Sequence, residues 1–496
     1  MQNFRRLLFI FSLFHFLDIS NAQNIGIGIL SPEAKLHIKG SVNVSQFIVE
    51  ANITQSNLQP LIKMRKSDGT DLMWIHSDHS FNTFVGYNAG GSNTAGGPFG
   101  DDGILNTFIG SESGRSNTTG TQNTATGYTA LYANTIGYGN TASGKGALFS
   151  NPSASQNTAV GTNALYIQSF NPGYAWSSDN VAVGFEALYS NQPLSVEYGR
   201  DNTAVGSGAL RNNIGGFSNT AIGMKALYFN TGGFSNTASG SEALYLNTYG
   251  SFNTAGGEAA LFNNSEGHYN TAFGHDALHS NTTGSYNTAI GYDTRNDMTA
   301  SEFNTIIGSE AHVGLGAYNS VVLGVGSYTN TSNLALLGNT GTMHCGGYVN
   351  WSNFSDGRFK TGVQENVKGL DFIMRLRPVT YHMNIRGLHK FWGIDEEISH
   401  ENKFSTVTEN AIVQKESIAM NGFIAQEVEK AAYDAEYVFD GVHKPAHDKD
   451  HYRISYATFV VPLVKAVQEQ QVMIEELKNI NQDLIKRLEA LEKKEE

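Results

Sequence analysis

One motif recurs too regularly for this chain to fold as an ordinary globule. Asn-Thr-Ala-x-Gly, or a close variant, begins with the asparagine at 123, 140, 157, 180, 202, 219, 236, 253, 270 and 287. Most steps are 17 residues, and two are 23 and 22. Looser copies start at Asn82, Asn106, Asn304 and Asn319. The full unit reads Asn-Thr-Ala-apolar-Gly-x-x-Ala-Leu-aromatic-x-Asn-x-x-Gly, and Asn219 to Gly233 is a clean copy. A short fixed period is the signature of a solenoid. Each unit holds two apolar runs, both too short for a helix, joined by Asn and Gly turn chemistry. One unit therefore predicts one coil of a β-solenoid. Repeated Asn can form ladders, and repeated Gly can take turn positions closed to other residues.

About a dozen coils at ~4.8 Å each give a body roughly 60 Å long. So short a coil buries little alone, so several chains are expected side by side. The extra residues at 170–178 and 192–200 are expected to bulge as loops, with Tyr174, Trp176 and Tyr198 as contact candidates. Glu186, Glu242 and Asp276 recur at one repeat offset. Two, three and five coils apart, they read as a solvated stripe and not as the close carboxylate pair of a glycosidase. The repeat is similar to the head of trimeric autotransporter adhesins, which stack Asn-Ser/Thr-x-x-x-Gly units of shorter period into a trimeric β-roll. The different period limits that resemblance to architecture.

The chain opens like an exported protein. Arg5 and Arg6 precede an apolar run over 7–17, and Ser20-Asn21-Ala22 offers small residues for cleavage before Gln23. No later stretch has the length of a membrane-spanning helix, which places the mature protein at the cell surface or in the medium. Cys345 is the one cysteine, so no disulfide framework exists, and a buried inert thiol is expected. A formal charge of −13 argues against nucleic acid as a partner. Between 23 and 80, Lys35-Leu36-His37-Ile38, parts of 46–49, and a pair of runs around Ser67-Asp68-Gly69 read as short strands.

Past residue 350 the repeat stops, and charges and Met appear. Ser355-Asp356-Gly357-Arg358-Phe359-Lys360 holds a hydroxyl and an amine five residues apart. A serine becomes nucleophilic when a nearby base takes its proton, and a lysine is that base only when neutral. On a regular helix or strand this spacing keeps the two side chains apart, so a bend is required, and Gly357 is placed to supply it. Arg358 either helps to keep Lys360 neutral or pairs with Asp356. Taken alone, Ser-Asp-Gly is ordinary turn chemistry. Two further runs follow, Leu376-Arg377-Pro378-Val379-Thr380-Tyr381 and Gly422-Phe423-Ile424-Ala425-Gln426-Glu427-Val428, then Tyr456 and a heptad pattern.

Together these runs resemble the intramolecular chaperone auto-processing domain at the C-terminus of phage endosialidases, tailspikes and bacterial tail-fibre-like proteins, also present in a membrane-bound animal transcription factor. The resemblance spans roughly 351–496. It implies a trimer that cuts its own chain next to the serine, with Ser355 as nucleophile and Lys360 as general base. Asp356, Arg358, Gln426 and Glu427 are supporting candidates, the last two with helix capping and subunit packing as the plainer reading. Phe359 stands where Leu is commoner in that family. His443, His447 and His451 recur every four residues, but Pro445 argues for a loop, and neither metal nor cofactor is expected. Short helical and strand patterns are expected at 371–376 and 379–381, with a turn into a helix at 422–432. Val460, Leu463, Val467, Gln470, Ile474, Leu477, Asn481, Leu484, Leu488 and Leu491 form a heptad seam.

The sequence thus predicts a mainly β chain: a signal peptide (1–22), a β-rich shaft or cap (23–80), a β-solenoid or β-roll head (81–325), a connector (326–350), a small α+β chaperone domain (351–458) and an α-helical coiled coil (459–496). The expected function is an exported homotrimeric fibre or adhesin whose C-terminal domain directs assembly and then, as a serine endopeptidase acting once in cis, releases itself at Ser355. The alternatives are a surface adhesin with a permanent C-terminal clamp and a glycan-hydrolysing spike. A surface glycan or protein is the expected class of ligand for the head.

Overall fold

The fold is that of a computed structural model. It describes the strands at 25–27 and 36–38, residue 49, and residues 60–495 except 97–99, 297–299, 315, 347, 349–351, 393–404 and 449. The expected signal peptide and most of the 46–49 run lie outside the described residues.

From Thr83 to Leu337 the chain winds as a β-solenoid of about thirteen coils. Each coil contributes one three-residue strand, the Thr-Ala-x of the motif, paired in parallel and in register with the next. Thr220, Ala221 and Ile222 lie opposite Thr237, Ala238 and Ser239, and those lie opposite Thr254, Ala255 and Gly256. Among the described residues no register joins the last strand, Ala335–Leu337, back to the first, so the ladder is an open stack. It extends past residue 325 into the segment expected to be a connector. At the other end a hairpin, Ile62–Arg65 and Asp71–His76, lays its second strand antiparallel on Thr83–Val85. Its turn is the expected Ser67-Asp68-Gly69.

The interior repeats as strictly as the sequence. Per coil it takes the strand alanine and the Ala-Leu pair, as in Ala221, Ala226 and Leu227, all fully buried. Leu227 sits at φ +52°, and its counterparts share this left-handed backbone. That conformation costs about 1–2 kcal/mol for a residue with a Cβ, against about 2–3 kcal/mol from burying leucine completely. Burial wins at every coil. The motif glycine has no such latitude. Gly240 is at φ +145°, and a Cβ there would lie 2.3 Å from the Gly257 carbonyl oxygen.

Two buried asparagine ladders run through the stack. In the first, Asn236 Oδ1 accepts the Asn253 amide (3.0 Å), and its Nδ2 donates to the Gly250 carbonyl (2.8 Å). In the second, Asn247 Nδ2 donates to Asn230 Oδ1 (2.8 Å) and the Gly250 carbonyl (2.9 Å), and its Oδ1 accepts from Asn264 (2.9 Å). The degenerate copy near 319 is shifted by one residue. Val321 pairs with Thr305, so Ser320 holds the ladder position, its amide on Asn304 Oδ1 (3.0 Å). Asn319 turns the corner at φ +52°.

Outside the core, rings stack at coil spacing. Tyr245, Phe262 and His279 have centroids 4.9 and 5.1 Å apart. Of the loop aromatics, Trp176 is buried against Phe170, so it is a packing residue, whereas Tyr174 and Tyr198 are exposed. Cys345 is also exposed, contrary to the expected burial, because it lies on an extended segment beyond the last coil.

The C-terminal region is small and α+β. It contains α1 (Leu370–Ile373), α2 (Ile385–Trp392), α3 (Ser405–Ser417) and α4 (Ala425–Asp434). An antiparallel pair joins Val379–Tyr381 to Met420–Gly422. Its core gathers Phe372, Val428, Ala431, Ala432, Ala435 and Phe459. The 36-residue helix α5 (Val460–Glu495) ends the chain. Its first turns pack under α1, where Glu469 caps the Leu370 amide (2.7 Å). Beyond Gln470 every described residue is exposed. No helix among the described residues is long and apolar enough to cross a membrane.

Replacing Asn247 by leucine keeps the volume but leaves Asn230 Oδ1, the Gly250 carbonyl and Asn264 Nδ2 short of a partner. A loss of about 3 kcal/mol is expected, read as a lower denaturant midpoint. The half-buried neighbour Thr248→Val, which gives up a single bond to the Ser265 carbonyl, should cost about 1 kcal/mol.

Candidate functional site: a serine–lysine pair on an exposed arm

Over residues 352–366 the chain runs as an almost wholly exposed arm. One ordered turn interrupts it, a 3-10 turn at Gly357–Phe359. Asp356 caps this turn, its Oδ1 accepting the Arg358 amide at 2.9 Å. The Arg358 guanidinium closes on the same carboxylate, with Nε at 2.9 Å and Nη2 at 2.6 Å from Oδ2. Arg358 thereby holds the Asp356 carboxyl below its ordinary value. The turn folds five residues of chain back on themselves, and Lys360 Nζ donates to Ser355 Oγ at 2.8 Å.

The bend that the spacing demanded is present, but its cause differs from the expected one. Gly357 does not adopt a left-handed φ, and a Cβ on it would meet nothing within 4 Å. The capped turn makes the bend, and glycine's freedom is not used. Arg358 is likewise engaged with Asp356, which leaves its charge compensated.

Chemically the pair is half prepared. As an ammonium, lysine donates to the serine and cannot take its proton. Attack requires a neutral amine, which desolvation or an uncompensated positive neighbour provides. In the single chain both side chains are exposed. Three large apolar side chains flank them, also in water: Phe354 at 79%, Phe359 at 68% and Val363 at 80% exposure. The Phe354 and Phe359 rings lie 5.5 Å apart.

The other candidates lie elsewhere. Glu427 opens α4 and pairs with Arg377, whose Nε donates to its Oε2 at 3.0 Å. Gln426 is exposed beside it. Neither is hydrogen-bonded to Ser355 or Lys360. His443 bonds Ser455 Oγ (2.9 Å), and His447 bonds the Asn330 carbonyl (3.1 Å). On the solenoid, Glu186 pairs with Arg211 (2.7 Å), Glu242 with Lys225 (3.2 Å) and Asp276 with His275 (3.0 Å). Sequence reasoning missed the Arg377–Glu427 pair and the flanking apolar trio. The trio was visible as Phe354, Phe359 and Val363, but periodicity gives no signal on an arm that belongs to no regular element.

Fold and site together define a repetitive β-solenoid that ends in a small α+β unit bearing a serine–lysine pair. Residues 355–438 match the family described as chaperone of endosialidase. The match begins at Ser355 and takes in the hexapeptide, the Leu376–Tyr381 run and the Gly422–Val428 run. It implies a role in assembling tail-fibre-like trimers. No curated protein matches the chain.

Acid should open the turn. The Asp356 carboxyl is held below 3.8 in the folded arm, so its contribution is complete above that value and is lost as pH falls through the lowered one. The Arg358 amide and guanidinium resonances should move together in that range. Asp356→Asn should weaken the cap already at neutral pH, and Gly357→Ala should leave the turn unchanged.

Proposed function

We propose that this chain is an exported fibre or adhesin that assembles as a homotrimer through its C-terminal region and then cuts itself beside Ser355. The observation that carries this reading is the 2.8 Å bond between Lys360 Nζ and Ser355 Oγ, inside the stretch that matches the endosialidase chaperone family. The second support is the seam of α5. Leu463, Val467, Ile474, Leu477, Leu484, Leu488 and Leu491 are 45–62% exposed on a helix about 54 Å long. An apolar stripe with this spacing is self-complementary and calls for further copies of the same helix as a coiled coil.

Assembly and chemistry are then one sequence of events. In a single chain the Lys360–Ser355 pair is open to water. When three chains align, Phe354, Phe359 and Val363 are covered and water leaves the pair. Neutral Lys360 takes the Ser355 proton, and Oγ attacks a neighbouring backbone carbonyl. Attack on the Phe354 carbonyl closes a five-membered ring, whereas attack on Ser355's own carbonyl closes a strained four-membered one. The bond preceding Ser355 is therefore the one expected to break. Its nitrogen takes the proton from Lys360, an ester forms on Oγ, and water hydrolyses it to a new C-terminal carboxylate and free Ser355. Loss of the registering helix leaves a solenoid trimer that is kinetically trapped, because it can unfold but not readily reassemble.

The test is the intact mass of the full chain beside Ser355→Ala and Lys360→Met. Two pieces meeting at Phe354/Ser355 are expected for the native chain, and one full-length species for each variant. Cleavage should also slow on dilution below the concentration at which the trimer forms. A native chain that stays whole while trimeric would make the C-terminal region a permanent clamp.

A further inference from the structure

The arm that bears Ser355 is not what holds the two parts of the chain together. Beside it, residues of the last coil and of the C-terminal unit meet directly. Thr331 Oγ1 donates to Asp450 Oδ1 (3.1 Å) and accepts from Arg453 Nη1 (2.9 Å). Arg453 Nη2 lies 3.3 Å from the same Oδ1. The Asp450 side chain is only 1% exposed, and it also accepts the Ala446 and His451 amides at 2.9 and 2.8 Å. Burial would raise this carboxyl, but those amides, the Arg453 charge and the Thr331 hydroxyl outweigh burial and hold it low. Nearby, His447 Nε2 meets the Asn330 carbonyl, Thr340 Oγ1 meets His389 Nε2 (2.9 Å), and Lys415 Nζ donates to the Thr342 carbonyl (3.0 Å).

The order of these residues along the chain matters. Every group on the solenoid side precedes residue 343, and every group on the other side follows residue 388. None of these contacts uses the arm, so a break at Ser355 removes the covalent link and leaves all of them in place. A buried carboxylate with a full set of partners is costly to separate, because parting it from Thr331 strips a charge-assisted bond from a group that water cannot immediately reach.

We propose that the Asp450–Arg453–Thr331 junction keeps the C-terminal fragment seated on the end of the solenoid after the backbone is cut, so that cleavage and release are separate events. The partner that this surface fits is the chain's own released fragment. In its timing the inference rests on the cleavage reading above, but the junction itself does not.

The test uses two full-length chains. The first is the self-cleaving native protein. The second is Ser355→Ala carrying an inserted recognition site for an added sequence-specific protease between Gly362 and Val363, in the exposed arm. After either cut, both pieces should co-elute on size exclusion at neutral pH. Thr331→Val, which deletes the bridging hydroxyl but keeps the side-chain shape, should speed dissociation of the pieces about tenfold. Pieces that part as soon as the added protease acts would overturn the proposal, as would equal release rates for Thr331→Val and the native chain. A native chain that never cuts itself, with protease-nicked pieces that stay together, would remove the cleavage reading and leave the junction standing.

Discussion

An asparagine carboxamide is too polar to be buried unless nearly all of its hydrogen-bonding capacity is met. No single coil of this solenoid can meet it. Asn236 needs the next coil's amide for its Oδ1, and Asn247 needs coils on both sides. The coil is therefore incomplete by construction and becomes stable only within a stack. The glycine ladder imposes the same condition sterically, since coils approach closely enough that Gly240 has no room for a methyl group. A stack of this kind has a problem only at its ends. At one end an antiparallel strand is laid over Thr83–Val85. At the other, the C-terminal unit supplies groups for Thr331 and for the Asn330 and Thr342 carbonyls.

The serine–lysine arm follows the opposite rule. The solenoid satisfies its polar groups within one chain, whereas the arm packs almost nothing on its own chain. Its geometry is set by local bonds alone, Asp356 to the Arg358 amide and guanidinium, and these suffice to bring Lys360 to Ser355. What they do not supply is a dry environment. In the proposed reading, desolvation between chains comes at a later stage than geometry within a chain, which would keep an unassembled chain from reacting in solution.

The solenoid was legible in the sequence because each spatial requirement returns at a fixed interval. Asn, Ala, Leu and Gly each occupy a place that other residues fit badly, and the 17-residue step displays that directly. The one-residue shift at Ser320 was hidden because serine can hold the ladder position without asparagine's signature. In the C-terminal region the short elements at 370–373, 379–381 and 425–434 matched local pattern and turn chemistry. The Ser355–Lys360 contact was anticipated, but the reason for it was not. Glycine was the visible candidate for a bend, while the cap that makes it depends on Asp356 and Arg358 meeting in space. The Asp450 junction was invisible, because its members lie more than a hundred residues apart.

The two long steps in the repeat, 157 to 180 and 180 to 202, show what the stack tolerates. The first ladder passes through both without a break: Asn180 still takes Asn157 Oδ1, and Asn202 takes Asn180 Oδ1, whereas the second is interrupted at the first step, where Gln168 turns to Ser178 and Asn151 Oδ1 meets no donor. Added residues leave sideways, and the pitch is untouched. Each coil adds ~4.8 Å and presents the same upper and lower surface as its neighbours. Copying or deleting one 17-residue unit would therefore change the length of the solenoid without altering what its two ends must fit. Recombination among the repeats would thus set the distance between the two ends of the solenoid in steps of one coil, each length meeting the same end contacts.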